Sequence, residues 1–155
     1  TIGENERMEG TVIADAVNVA SRLEGLTKTY QTALIVSEAL LHAVPDYSRF
    51  SHRYLGISMV KGKKQGLRIY EVFDADSEEL IAHKLATRPL FEQGVAAFQQ
   101  NDFASAAACF HEVADYSAED LTALSYAARS EKLLAYGVHV PDEMLQEVLG
   151  GADES

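Results

Sequence analysis

The sequence predicts an α+β unit followed by an α-helical, repeat-like region, and three observations carry that prediction. In the first half, strand-like runs at residues 32–37 (TALIVS), 48–60 and 67–73 (LRIYEVF) alternate with short helical ones. From residue 88 onward, apolar residues recur at helical spacing instead. Charge is also divided unevenly. Residues 1–75 hold nine Lys+Arg and nine Asp+Glu, whereas residues 76–155 hold four and fifteen, so the second half carries the whole net charge of −11. Such an asymmetry points to two units.

The elements follow in order. Residues 1–10, polar with two glycines, read as a loop. Residues 11–14 (TVIA) form a short extended run, and Asp15 stands where a helix N-cap or first-turn acid belongs. Val17, Val19, Ala20, Leu23 and Leu26 then give a helical apolar stripe that ends near residues 28–30. Residues 32–37 read as a buried strand. Ser37 is an N-cap for a short helix over 38–44, closed by Pro45-Asp46. Residues 48–60 and 67–73 flank the turn KGKKQG as an antiparallel hairpin. Residues 76–87 are expected to be a linker.

In the second half, Leu90, Phe91, Gly94, Val95 and Phe98 predict one helix. Asn101-Asp102 breaks it, and Phe103, Ala106, Ala107, Phe110 and Val113 predict the next. The spacing of Gly94, Ala106 and Phe110 resembles a tetratricopeptide repeat. A further helix is expected over 118–135 and a last short one over 141–149. One repeat rarely folds alone, so these helices either form a separate tail or pack on the first half.

Composition narrows the function. Hydrophobic content of 47% and charged content of 24% describe a soluble globular protein. No apolar run approaches the ~20 residues of a membrane span, and the first residues lack the pattern of a signal peptide. The absence of a basic stripe argues against a nucleic-acid partner. Cys109, a lone cysteine in an apolar helical pattern, excludes an internal disulfide and is expected to be a buried structural thiol. The five histidines show no ligand spacing. The first unit shows one constellation with chemical potential. Asn18 and Arg22 lie four residues apart on one helix face, an amide beside a planar fork of donors suited to phosphate oxygens. The plainer reading is an exposed asparagine and an arginine paired with Glu24 or Glu9.

The run T-V-I-A-D-A-V-N-V-A-S-R-L-E, residues 11–24, resembles the signature segment of class III adenylate/guanylate cyclases, T-V-I-G-D-x-V-N-x-A-x-R-L-E. V-K-G-K (60–63) followed by R-I-Y-E-V (68–72) resembles that family's closing hairpin. The resemblance covers residues 1–75 and implies the second half of a cyclase (ferredoxin-like) catalytic domain, with 76–87 as linker and 88–155 as helical tail. It implies conversion of ATP to 3′,5′-cyclic AMP and pyrophosphate, in signal transduction. Asn18 would orient the ribose and Arg22 would stabilise charge on the transferred phosphorus. Lys61, or else Lys63, would reach the β and γ phosphates. Thr11 would contact the purine edge, favouring ATP over GTP.

The family's cofactor is Mg2+ or Mn2+, held by two aspartates that precede this segment, so the chain alone is expected to be inactive. The family works as a dimer, so a homodimer with interfacial sites is expected, in the cytoplasm, with the parent either soluble or membrane-anchored. A protein partner for the helical tail is a further possibility. Ala14 stands where the family has glycine. That departure keeps open a non-catalytic interaction module as an alternative, and guanylate cyclase is a closer rival.

Overall fold

The computed structural model describes residues 19–58 and 66–136. Five α-helices and a three-stranded sheet are present among them. Helix α1 occupies residues 19–30, and Leu23, Leu26 and Tyr30 on its inner stripe are buried. Gln31 ends it in the left-handed region at φ 57°, and the Thr32 amide returns to the Thr27 carbonyl at 3.0 Å. This six-to-one bond is the Schellman closure of a helix C-terminus.

Strand β1 is Ile35–Ser37 and leads directly into α2, Glu38–Ala43. Ser37 is the N-cap, its Oγ accepting from the Leu40 amide at 3.1 Å. A 3-10 turn, Tyr47–Arg49, precedes β2, His52–Ser58, which pairs antiparallel with β3, Leu67–Val72. The sheet order is β1-β3-β2. The expected hairpin strands are therefore present, and residues 59–65 between them lie outside the described residues. The first strand is shorter than expected. The helix closure takes Gln31 and Thr32, and Leu34 is exposed.

A second difference concerns residues 76–87, expected as a linker. Ser77 caps a helix, α3, that runs unbroken over Glu78–Gln99, with Pro89 inside it. Ser77 Oγ accepts from the Leu80 amide at 3.2 Å, and Glu78 and Glu79 complement the helix dipole in the first turn. The helical pattern is expected only from residue 88 onward, and Pro89 itself disfavours helix at Arg88. Burial of Lys84, Thr87 and Phe91 on one face outweighs that preference. Leu85, whose carbonyl loses its partner at Pro89, lies on the exposed side.

Helix α4, Phe103–Tyr116, and α5, Leu121–Tyr136, complete the helical layer. Asn101 makes the turn at φ 62°, and Asp102 caps α4 through Ser105. Helix α5 begins later than expected because Asp120 sits just before it, accepting from the Ala123 amide at 3.2 Å. The last short helix expected over 141–149 lies outside the described residues. Among the described residues no helix is long and apolar enough to cross a membrane. Cys109 is only partly buried, and burial, Glu112 and Asp102 together push its thiol up.

One core joins the helices to the sheet. Leu55 and Ile69 of the strands share it with Leu26, Phe91, Phe110 and Tyr126 of the helices. Helix α3 approaches α4 closely at Gly94. A Cβ there would lie 2.9 Å from Phe110 Cζ and 3.1 Å from Cys109 Cβ. Gly94→Ala should therefore overpack the interface and lower the urea midpoint, by the equivalent of about 1–3 kcal/mol.

Candidate functional site

Arg22 is the one predicted site residue that lies within the described structure. It sits half-buried on α1, one position before the buried Leu23 and one turn before Leu26. Thr11, Asn18, Lys61 and Lys63 lie outside the described residues. What the structure provides is the mounting of the two elements concerned. These are the helix that carries Arg22 and the β2–β3 pair that brackets Lys61 and Lys63 in sequence.

The helix is held at its C-terminal end. Thr122 Oγ1 donates to the Gln31 carbonyl at 3.2 Å, and Ser125 Oγ donates to the Thr29 carbonyl at 3.2 Å. The Tyr30 ring lies 5.4 Å from that of Tyr126, and the Arg129 guanidinium lies 5.0 Å from the Tyr30 centroid. Carbonyls at a helix C-terminus have no partner within the helix, so hydroxyl donors there close an otherwise open end. From Tyr30 back to Arg22 is eight residues, a rise of ~12 Å. A guanidinium mounted on a helix fixed at its far end can meet an anion with little reorganisation.

The β2–β3 pair is held on its outer edge and on its core face. Strand β2 is a sheet edge, and helix side chains bond three of its backbone groups. The Tyr54 amide donates to Glu92 Oε2 at 2.7 Å, Arg88 Nη1 donates to the His52 carbonyl at 3.1 Å, and Tyr126 Oη donates to the Leu55 carbonyl at 2.5 Å. Beside that last contact, Gly56 adopts φ 132° at a register shift between Tyr54 and Gly56. A Cβ there would meet Tyr126 Oη at 3.0 Å. Burial raises the Tyr126 phenol well above its ordinary value, so it stays a neutral donor.

On the core face, sequence reasoning missed a buried charge cluster. Arg53 on β2 forms a bidentate pair with Asp120, Nη1 to Oδ2 and Nη2 to Oδ1, both 2.8 Å. Its Nε donates to Glu71 Oε1 on β3 at 3.0 Å, and its guanidinium lies 3.7 Å from the Phe91 ring centroid. Lys84 Nζ of α3 bridges Glu71 at 2.8 Å and Asp76 at 2.6 Å. Burial works against the Arg53 charge, but Asp120 and Glu71 outweigh it and hold its pKa above the ordinary value. Burial likewise opposes ionisation of Asp120, yet Arg53, the Ala123 amide and Lys84 hold its carboxyl below the usual range.

These groups satisfy one another, and Arg53 and Glu71 are fully excluded from solvent. The cluster is a latch between the sheet and α5 that a substrate cannot reach. Its one signal in the sequence is a charge at an inward position on each of two strands, Arg53 and Glu71, which the register places opposite each other. Among the described residues, no group of three or more His, Cys, Asp or Glu is placed to hold a metal ion. The buried carboxylates Asp120 and Glu71 are already neutralised by Arg53 and Lys84.

The chain is similar to parts of three proteins named adenylate cyclase. "Adenylate cyclase, terminal-differentiation specific" of Dictyostelium discoideum is 30% identical over 129 residues, 83% of this chain and 6% of that protein. "Adenylate cyclase" of Anabaena cylindrica is 45% identical over 73 residues, 46% of this chain and 14% of that protein. "Adenylate cyclase 1" of Rhizobium meliloti (strain 1021) is 43% identical over 72 residues, 46% of this chain and 10% of that protein. The chain thus spans between 6% and 14% of the length of these relatives. A match over 83% of 155 residues exceeds the first 75, so the likeness to the Dictyostelium protein runs into the helices. No protein-family model matches the chain. No solved structure matches it.

Proposed function

We propose that this chain is the second half of a class III adenylate cyclase catalytic domain, ferredoxin-like in fold, with a tetratricopeptide-like helical extension. The observation that carries the reading is the 30–45% identity to three proteins named adenylate cyclase, together with the run from Thr11 to Glu24. In this reading the ribose 3′ oxygen attacks the α-phosphorus of ATP. A new P–O bond closes the cyclic phosphate, the bond to pyrophosphate breaks, and the 3′ proton leaves. The chain's part is positioning and charge neutralisation. Asn18 orients the ribose, Arg22 meets the charge developing on the α-phosphate, Lys61 or Lys63 holds the β and γ phosphates, and Thr11 reads the adenine edge. Mg2+ or Mn2+ is held by residues outside this chain, and two protomers form the sites at their interface in the cytoplasm.

The test is turnover. A longer polypeptide, in which a first cyclase half precedes residue 1, is expected to form cyclic AMP and pyrophosphate from ATP only with Mg2+ or Mn2+. The 155-residue chain alone is expected to form none. Product from the chain alone would overturn the division of labour. Preference for GTP in a competition assay would overturn the assignment of ATP, and nucleotide binding without product would leave a non-catalytic module instead.

A further inference from the structure

We propose that α5 is a strut that sets the position of the Arg22 helix against the β2–β3 pair, with Thr122, Ser125 and Tyr126 as positioning residues. The inference rests on the reading of Arg22 given above. Ser125 and Tyr126 lie three and four residues after Thr122, and Arg129 lies four and three residues after them, so the four side chains share one face of α5. Each of the four meets the last turn of α1 or the residue closing it. The hydroxyls meet the Gln31 and Thr29 carbonyls, and Tyr126 and Arg129 meet the Tyr30 ring. Distances in sequence are 91 and 96 residues for the two hydroxyl bonds, so no local folding rule requires them.

The same helix grips the strands. Tyr126 touches both sides, its ring near Tyr30 and its Oη on the Leu55 carbonyl. Asp120, at the start of α5, holds Arg53 of β2, which in turn holds Glu71 of β3. Stacking on Phe110 at 4.5 Å and 7° fixes the Tyr126 ring against α4. A displacement of α5 would therefore shift α1 and β2 together. The helical extension thereby acquires a role in the reaction without touching substrate.

The test separates this role from mere support of the fold. Thr122→Val with Ser125→Ala removes both hydroxyl donors and keeps the shape of each side chain closely. Hydrogen exchange of the amides in residues 23–32 is expected to accelerate by about tenfold, while those of α4 are unchanged. In the longer polypeptide kcat should fall by about tenfold with KM for ATP within about twofold, and Ser125→Thr alone should retain normal turnover. Unchanged exchange in 23–32 overturns the proposal whatever the turnover. Faster exchange with full turnover overturns the positioning role. Arg22→Ala, assayed beside them, reports on the underlying reading. If it abolishes turnover while the α5 variant does not, the strut fails and the cyclase reading stands. If it leaves turnover intact, both fall.

Discussion

Replacing Asp120 by alanine is expected to destabilise the chain by about 3–5 kcal/mol, read as a large drop in the urea midpoint. The reason lies in what remains. Arg53 is fully buried, its Nη1 donates to Asp120 Oδ2 at 2.8 Å, and its Nη2 is shared between Asp120 Oδ1 at 2.8 Å and Glu71 Oε1 at 2.9 Å. Without that partner, Nη1 would keep a charge and its protons in the core with no acceptor. Glu71 cannot take over, because its oxygens already serve Arg53 Nε and Lys84. The pH dependence follows with a definite sign. Burial alone would raise the Asp120 carboxyl, but Arg53 holds it below its ordinary value of 3.8 in the folded state. A depressed folded pKa adds stability that is present above the unfolded value and is lost as pH falls through the folded one. The wild-type chain should therefore lose stability progressively below about pH 4. Asp120→Asn should flatten that decline, because the titrating group has gone.

This latch also marks where the sequence stops being readable. Phe103, Ala106, Ala107, Phe110 and Val113 announce α4 because a helix repeats its inner face every three to four residues. Asn101-Asp102 announces the turn because asparagine tolerates the left-handed region and aspartate caps the next helix. Both signals are local. The start of α3 was hidden by Arg88-Pro89, a local signal that points the wrong way once burial of Lys84 and Thr87 on the packed face is counted. Arg53 and Asp120 are 67 residues apart, and nothing in either neighbourhood specifies the other. The same holds for the site. The inner stripe of α1, on whose edge Arg22 sits, is legible from Leu23 and Leu26. The hydroxyls of α5 that close the helix are 91 and 96 residues away and are not.

In a longer polypeptide with a complete catalytic domain, Arg22→Ala is expected to lower turnover by about 10²–10³-fold, the cost of removing one preorganised donor from developing charge. Stability should change by about 1 kcal/mol or less, because Arg22 lies at the edge of the buried stripe and leaves Leu23, Leu26 and Tyr30 in the core. Arg22→Lys should recover only part of the loss, since an ammonium restores the charge without the planar fork. The size of the effect alone does not identify its origin, because loosening α1 would also slow a reaction that depends on its placement. Amide exchange resolves the two. Arg22→Ala removes a charge and leaves the Thr29 and Gln31 carbonyls in the grip of α5, so residues 23–32 should exchange at the wild-type rate. A large fall in turnover with unchanged exchange places the loss in the guanidinium itself. A fall accompanied by faster exchange would mean that Arg22 supports the helix, and the charge-stabilising role assigned to it would have to pass to another residue.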